Sequence, residues 1–347
     1  MGITINEVAK AAGVAPSTVS RVISDSPLIS DRTKRKVKRI MEELGYHPNI
    51  NARNLANKSS QTLGIVMPSS ASKAFQNPFF PEVIRGISST AHIKDYSLLI
   101  STGETEEQIL EAVKKMVMGK RVDGIILLYS RENDPIIKYL LNQEFPFVLV
   151  GKPYQHVERI TYINNDNYGA AREVTNTFIR KGHTKIAFVG GSRNFLVTQD
   201  RLKGYCDAMK LADLPLSNEY IFHDDFLFES GKVSIDHLMS LKNPPTAIVA
   251  ADDIIALGIL SSLAEQGIHV PEQISIISFN NLILTKLATP SLSSVDVNIF
   301  QLGNEATKLV IEKIQSNDSL SKSVVVPYRI IERQSSMSSK NSFQDET

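Results

Sequence analysis

The chain has 347 residues, of which 42% are hydrophobic and 22% are charged. This composition is typical of a globular protein of two or three domains, and it excludes a wholly disordered chain. No run of about 18 apolar residues is present, and the N-terminus has no basic stretch leading into an apolar one. We therefore expect neither a transmembrane helix nor a secretory signal. The single cysteine, Cys206, excludes an intramolecular disulfide and a cluster of thiolate metal ligands, and a cytoplasmic protein is expected.

The net charge of +1 conceals two oppositely charged parts of the chain. Residues 1–60 contain ten Lys and Arg against five Asp and Glu, which gives a net charge of +5. The remaining residues hold 28 basic and 32 acidic side chains, which gives a net charge of −4. A basic head on an acidic body predicts that the head contacts a polyanion. A solvated basic helix face is the alternative that charge alone leaves open.

The first 30 residues read as two short helices joined by a tight turn. Thr4 and Glu7 fit a capping box at the start of the first helix. Gly13 supplies the backbone freedom that a sharp turn needs. Pro16 suits the first turn of a second helix, where a missing N–H is tolerated.

The second of these helices turns small polar side chains and one arginine outward. They are Ser17, Thr18, Ser20 and Arg21. A third helix is expected from Asp31, with a basic side opposite an apolar stripe. In a helix-turn-helix the second helix enters the major groove, where such side chains reach base edges. We predict that residues 1–46 form a small all-α DNA-binding domain. A helical bundle without a nucleic acid partner is the alternative.

The next segment, residues 47–61, predicts a short hinge helix followed by a linker. Asn49 can cap this helix, and Ala52 and Leu55 lie on one apolar side of it. So short a helix is marginal alone, and we expect it to order only against DNA and a partner chain. Leu55 could then wedge into the minor groove while Arg53 meets phosphates. A plain linker is the alternative.

Two segments, TINEVAKAAGVAPSTVSRVIS and LGYHPNINARNLANK, resemble the lac-repressor/gal-repressor family of bacterial transcription regulators. The resemblance implies that Pro16, Ser17 and Arg21 read bases of a double-stranded operator and that Leu55 intercalates at its centre. Since proline offers no donor, base reading here would depend on Ser17 and Arg21. The expected DNA contacts are Thr4, Pro16, Ser17, Thr18, Ser20, Arg21, Asn49, Ala52, Arg53 and Leu55.

Reading a palindromic operator requires two heads, which predicts a homodimer. The C-terminal tail, residues 335–347, is polar and carries no leucine heptads. We therefore expect a dimer without a tetramer-forming coiled coil.

From residue 62 onward, short apolar runs alternate with amphipathic stretches. This pattern predicts parallel strands with helices on both faces of the sheet. About 270 residues exceed one ordinary sheet, which favours two lobes. The resemblance implies an α/β body like that of the periplasmic sugar-binding proteins. Its N-terminal lobe would take residues 62–161 and about 296–320, and its C-terminal lobe would take 162–292 and about 321–334.

Ligands of such bodies bind between the lobes, at the carboxyl ends of strands. The family resemblance and the positions after strands place seven effector contacts there: Asn77, Phe79, Phe80, Arg201, Phe226, Asp252 and Asn280. Arg201 matches the family arginine that grips the effector, and it opens a predicted helix. Phe79 and Phe80 could equally be core residues. Asp166 and Asp253 are expected as helix N-caps rather than ligands.

The segments NPFFPEVIRGIS, AADDIIALG and SVDVNIFQLG resemble the maltose-type regulators of Gram-positive bacteria within the family. This resemblance implies a repressor of a maltose or maltodextrin operon, with a small sugar as effector. One alternative is a catabolite-control regulator that uses a phosphoprotein corepressor. Another is a sugar-binding protein without DNA activity. Nucleotide and zinc motifs are absent from the sequence, so we expect no enzyme, catalytic residue, cofactor, metal site or membrane partner.

Overall fold

The computed structural model describes residues 3–46, 59–68, 74–101, 103–316 and 320–337. The chain divides into two compact units, Met1–Ser60 and Gln61–Thr347. We call them the head and the body. The predicted hinge contacts Asn49, Ala52, Arg53 and Leu55 lie outside the described residues.

The described part of the head is a three-helix unit, as the sequence predicts. Its helices are α1 (Ile5–Ala12), α2 (Pro16–Ile23) and α3 (Asp31–Leu44). At the start of α1 the Thr4 N–H donates to the Glu7 carboxylate (2.7 Å). Gly13 and Gly45 end α1 and α3 with φ of 62° and 63°, which is the left-handed conformation that glycine adopts without strain. The core is small: Val8, Ala9, Ala12, Val19, Val22, Val37 and Ile40.

The described part of the body contains two six-stranded sheets, one in each lobe. The strands are β1 Thr62–Val66, β2 Ser97–Ile100, β3 Gly124–Leu127, β4 Phe147–Val150, β5 Thr161–Asn164, β6 Ile186–Gly190, β7 Ile221–His223, β8 Ala247–Ala250, β9 Ser275–Phe279, β10 Ser293–Asp296, β11 Ser323–Val325 and β12 Arg329–Ile331. The first-lobe sheet has the order β11-β5-β4-β3-β1-β2, and the second-lobe sheet has the order β12-β10-β9-β8-β6-β7. All paired strands are parallel except β10 and β12, which are antiparallel.

Helices cover both faces of each sheet, which confirms the predicted two-lobed α/β architecture. They are α4 Phe79–Ile93, α5 Glu106–Met118, α6 Pro135–Asn142, α7 Asn167–Arg180, α8 Leu196–Leu211, α9 Phe228–Ser240, α10 Asp253–Glu265, α11 Ile283–Leu287 and α12 Ile299–Gln315. The central strands are buried on both sides, as expected of parallel sheets between helices.

Strand pairing moves the lobe boundaries away from those expected. β5 pairs with β4 through residues 161–163, so the first lobe continues to 164 rather than ending at 161. β10 pairs with β9, so the second lobe continues to 296 rather than 292. β11 pairs with β5, which places residues 323–325 in the first lobe although 321–334 was expected in the second. The reason is that the last two strands complete one sheet edge each.

The chain passes between the lobes at three crossovers, residues 165–166, 297–298 and 326–328. The Asn165 side-chain amide lies at the centre of them. Its Nδ2 donates to the Val297 carbonyl (2.9 Å) and to the Val326 carbonyl (2.9 Å). One side chain therefore joins all three crossovers.

The segment expected to begin a polar tail at residue 335 is instead part of the second lobe. Ser335 and Ser336 are buried. The Ser335 hydroxyl donates to the Ile276 carbonyl (2.7 Å) and accepts from the Ser293 N–H (2.8 Å). Small hydroxyl side chains can satisfy strand groups in a space that excludes water, so a polar sequence here does not indicate a solvated segment.

Two helices of the first lobe approach each other closely at glycines. A Cβ atom built on Gly86 of α4 would lie 2.1 Å from the Phe300 carbonyl oxygen of α12. A Cβ atom on Gly303 of α12 would lie 2.1 Å from the Val83 carbonyl oxygen of α4. Both positions therefore require glycine for backbone contact between the helices.

Candidate functional site

The exposed face of α2 carries the side chains predicted to contact DNA. Pro16, Ser17, Ser20 and Arg21 are exposed, and Thr18 is half-buried. They share this face because Val19 and Val22 turn the opposite face of α2 into the head core. The structure thus presents short polar groups and one guanidinium from a single convex helix surface.

Part of the positive charge of the head is neutralised internally and part is not. Lys34 pairs with Asp25 (2.8 Å), and Arg39 pairs with Glu43 (3.3 Å). Within residues 3–46, six cations form no ion pair: Lys10, Arg21, Arg32, Arg35, Lys36 and Lys38. These side chains are available to phosphates. Thr4 differs from expectation because its hydroxyl proton is donated to Glu7 (2.9 Å), which leaves only its lone pairs for an outside partner.

The body holds a cavity of about 370 Å³ between its two lobes, which we call the cleft. It lies at the carboxyl ends of β1, β3 and β4 of the first lobe and β6, β8 and β9 of the second. The lining includes all seven predicted effector residues: Asn77, Phe79, Phe80, Arg201, Phe226, Asp252 and Asn280. The structure therefore brings together residues that are up to 203 positions apart in the chain.

Asp252 forms the floor of the cleft and bonds to both lobes. The Ile254 N–H donates to Asp252 Oδ1 (2.7 Å), which makes Asp252 the N-cap of α10. Asn77 of the first lobe and Asn280 of the second donate their Nδ2 groups to Asp252 Oδ2 (3.0 and 2.8 Å). Burial raises the pKa of Asp252. The sequence interpretation gave the N-cap role to Asp253, and this was wrong by one position.

Asp253 is fully buried below the floor and organises the loop that carries Asn280. It accepts hydrogen bonds from the Ser278 hydroxyl, the Ser294 hydroxyl (2.7 Å) and the Leu282 N–H (2.7 Å). Burial raises the pKa of Asp253 to about 7. These donors hold the loop after β9, where Asn280 has a φ of 109°, and thereby fix the amide that reaches Asp252.

Arg201 lies in the second turn of α8 rather than opening the helix, and it is buried. Its Nε donates to Asn167 Oδ1 (3.0 Å), and its Nη1 donates to the Ala251 carbonyl (2.5 Å). The guanidinium carbon lies 4.2 Å from the centre of the Phe279 ring. Burial lowers the pKa of Arg201 to about 10, so it stays charged at neutral pH. It thus has a structural role that the sequence interpretation missed, in addition to lining the cleft.

Aromatic rings form much of the remaining wall. Phe79 and Phe80 are half-buried and meet edge to face, with ring centres 5.3 Å apart. Phe195 lies 6.1 Å from Phe226 and 6.5 Å from Tyr129 of the other lobe. Tyr129 and Phe195 were not predicted. Their positions in the segments that follow β3 and β6 were the signal that could have identified them.

The mouth of the cleft carries charged side chains from both lobes. Lys152 follows β4 of the first lobe, and Asp200 and Asp225 belong to the second. Burial raises the pKa of Asp200, and the Lys152 ammonium opposes that rise. Among the described residues Asp200 forms no ion pair. These residues were also missed, because a single charged side chain in a loop or on a helix gives no sequence signal.

The two lobes also touch beside the cleft. The Leu196 N–H donates to the Ser130 carbonyl (3.0 Å), and Gln199 Nε2 donates to Glu132 Oε1 (2.8 Å). Elsewhere, Asp166 caps α7 by accepting from the Gly169 N–H (2.8 Å), which confirms its expected role. Within the described residues, no helix combines the length and apolarity that a bilayer crossing requires.

Comparison with family models divides the chain in the same way as the structure. Residues 4–49 match the bacterial regulatory proteins of the lacI family. Residues 175–336 match a periplasmic binding protein-like domain. These matches cover the helix-turn-helix and much of the second lobe.

The chain is similar to transcriptional regulators along nearly its whole length. It is 39% identical to the HTH-type transcriptional regulator MalR of Streptococcus pneumoniae over 340 residues, which cover 96% of this chain and 100% of that protein. It is 58% identical to a solved transcriptional regulator LacI from Bacillus cereus subsp. cytotoxis, with a TM-score of 0.79, covering 80% of this chain and 98% of that one.

A third relative is a probable maltose operon transcriptional repressor malR from Staphylococcus aureus. It is 28% identical with a TM-score of 0.73, over 80% of this chain and 98% of that one. The relatives are regulators rather than enzymes, and they confirm the family expected from the sequence. The chain belongs to the LacI family of DNA-binding bacterial transcriptional regulators.

Proposed function

We propose that this protein represses a maltose or maltodextrin operon and that a small neutral sugar bound in the cleft lowers its affinity for the operator. The observation that carries the proposal is the composition of the cleft. Amide, carboxylate and guanidinium groups converge there with aromatic faces on a cavity of about 370 Å³.

A sugar needs both polar groups for its hydroxyls and apolar surface for its ring. Their hydroxyls each donate and accept, and amides and carboxylates from fixed positions can pair with neighbouring hydroxyls. Asn77, Asn280 and Asp252 supply these polar groups at the floor. The rings of Phe79 and Phe226 supply apolar surface for the C–H faces of a sugar ring. The name of the S. aureus relative supports maltose as the first sugar to test.

The charge of the lining supports a neutral effector over a sugar phosphate. Two lining residues are cationic, Lys152 and Arg201, and three are acidic, Asp200, Asp225 and Asp252, for a net charge of −1. Arg201 already donates to two protein oxygens. A phosphate dianion would therefore add like charge to the cleft without a free bidentate partner.

On DNA, the proposed mode is that of a cytoplasmic homodimer on a palindromic operator. Ser17 and Arg21 of each head read base edges in the major groove, and Pro16, Thr18 and Ser20 lie against the backbone. Thr4, Asn49, Ala52 and Arg53 add contacts at the operator backbone. Leu55 of each chain wedges into the minor groove at the operator centre.

Effector control requires that sugar bind one lobe arrangement better than another. Each lobe contributes one side of the cleft, so occupancy changes the preferred angle between them. The coupling needs to be only about 1–3 kcal/mol to alter operator occupancy usefully. The proposed sign is induction, in which the sugar-bound arrangement disfavours the paired hinge segments.

Titration calorimetry with glucose, maltose, maltotriose and glucose 6-phosphate tests the effector. Operator titration with and without the bound sugar then tests the sign. We expect a neutral glucoside to bind and to weaken operator affinity at least about fivefold. Phe226→Ala should weaken sugar binding, whereas Asp224→Ala, an exposed neighbour outside the lining, should not. Tighter operator binding with maltose would reverse the proposed sign.

A phosphoprotein corepressor is the alternative partner. If free sugar leaves operator affinity unchanged while a phosphorylated carrier protein raises it, the chain acts as a catabolite-control regulator and the induction proposal is wrong.

A further inference from the structure

The three crossovers between the lobes are held together by one buried side chain. Asn165, the first residue after β5, donates both protons of its amide to main-chain carbonyls of the other two crossovers. The acceptors lie 132 and 161 residues further along the chain, and both distances are 2.9 Å. Asn165 is only 5% exposed.

The positions of the two acceptors matter because each crossover starts or ends a structural element. Val297 lies between β10 and α12, and Val326 directly follows β11. Any rotation of one lobe against the other must be absorbed by backbone dihedral changes in these segments. With both carbonyls bonded to one planar amide, the three segments cannot change their spacing independently.

Asn165 also faces the cleft. It contributes to the cavity lining, and its Oδ1 accepts no hydrogen bond from any residue in the described ranges. The neighbouring Asn167 differs because its Oδ1 is occupied by Arg201. The Asn165 oxygen is therefore an acceptor that a hydroxyl in the cleft can reach, on the same group that holds the crossovers.

We propose that Asn165 is a positioning residue that converts occupancy of the cleft into one concerted rotation of the lobes. Its amide fixes the crossovers as a single hinge, and its carbonyl oxygen places that hinge in contact with the bound effector. The inference rests on the proposed function, since it names the residue through which effector binding reaches the DNA-binding head.

The proposal separates effector affinity from effector response. Arg201, Asp252 and Asn280 keep their positions when the Asn165 amide is lost, because their partners lie elsewhere. Sugar should therefore still bind. Without the amide each crossover bends on its own, so the bound sugar no longer selects one lobe angle, and the operator affinity stops responding.

The test uses Asn165→Asp in the full chain, because aspartate has the same shape and no N–H donors. Asn142→Asp is the matched control, since Asn142 is exposed at the end of α6 and remote from the lining. Maltose affinity is measured by calorimetry, and operator affinity is measured by fluorescence anisotropy with and without saturating maltose. Aspartate keeps an acceptor oxygen at this position, so we expect the variant to bind maltose within about fivefold of wild type. Its maltose-dependent change in operator affinity should fall to less than twofold, while Asn142→Asp keeps the wild-type response.

The outcomes separate the two proposals. If the wild type binds none of the sugars or shows no response, the proposed function fails before this inference is reached. If Asn165→Asp responds like wild type, the inference is overturned and the function stands. Where circular dichroism shows that the aspartate variant is unfolded, Asn165→Ala replaces it, since it removes the donors without adding charge. If neither variant folds, the residue is purely structural and the inference is overturned.

Discussion

Replacing Arg201 by alanine should destabilise the body as well as alter the cleft. The guanidinium makes two hydrogen bonds to buried oxygens and stacks 4.2 Å from the centre of the Phe279 ring. Removing one partner of such a buried charged arrangement costs about 3–5 kcal/mol. The acidic pair Asp252 and Asp253 loses a neighbouring cation at the same time, since both carboxylates raise the pKa of Arg201.

This free energy converts into a measurable change in melting temperature. For a domain of this size each kcal/mol lowers the midpoint by roughly 2–4 °C, so Arg201→Ala should melt roughly 6–20 °C below wild type. The melting temperature of Arg201→Lys should lie between those of the wild type and Arg201→Ala, because an ammonium keeps the charge but cannot bond to both acceptors as the planar guanidinium does.

Differential scanning calorimetry of the wild type, both variants and Lys210→Ala provides the measurement. Lys210 is exposed in the last turn of the same helix, so its loss should change the midpoint by no more than about 2 °C. An Arg201→Ala midpoint within about 2 °C of wild type would refute the structural role and leave Arg201 as a ligand group alone.

Three further outcomes follow from the head, the first lobe and the second lobe. Arg21→Ala should weaken specific operator binding by about 1–3 kcal/mol in an anisotropy titration. Arg32→Ala, which lies outside α2, should weaken binding to specific and to nonspecific DNA alike. If Arg21→Ala also weakened binding to both kinds of DNA equally, Arg21 would contact phosphate rather than a base. Gly86→Ala should destabilise the body by about 1–3 kcal/mol in urea unfolding because its methyl group would meet a carbonyl of the facing helix, whereas the exposed Ser88→Ala should be neutral. Folding raises the pKa of Asp253 from 3.8 to about 7, so the folded state binds this proton more tightly than the unfolded state does. The free energy of unfolding therefore falls as the pH rises from about 4 to 7, and this group changes it little at higher pH. Between pH 5 and 8 the wild type should lose about 2–3 kcal/mol relative to Asp253→Asn, and parallel pH profiles of the two would contradict this.

The fold was predictable wherever the spacing of hydrophobic residues and the capping residues indicated the same helix or strand. The second helix of the head, for example, needed only Pro16 at its start and buried valines at helical spacing. The apolar runs of the body identified nine of the twelve described strands, β1–β6 and β8–β10. By contrast β7, β11 and β12 have three residues each and no buried run, so nothing local distinguishes them from loop. They form because a neighbouring strand offers an edge, which is a property of the assembled sheet.

The site was predictable only where position after a strand combined with residue type. Asn77 and Asp252 met both conditions, and they bond to each other across the cleft. Asn165 follows a strand too, but its partners are main-chain carbonyls far along the chain, and a sequence gives no sign of which carbonyls lack donors. The interpretation of Asp253 as a cap failed for a related reason. Two adjacent aspartates can each cap a helix, and only the packing of the folded chain decides which one does so.

The route of the chain has a consequence for biosynthesis. The antiparallel strand β12 and the serine-rich turn at 334–336 complete one edge of the second-lobe sheet, although the first strand of that lobe, β6, begins more than a hundred residues earlier, at Ile186. The head can fold as soon as it leaves the ribosome, since α1, α2 and α3 pack around a core of their own. A nascent chain that ends before residue 329 would therefore already carry the folded head, while the edge of β10 in the body is still exposed. Such a polypeptide would bind DNA but would not respond to the effector.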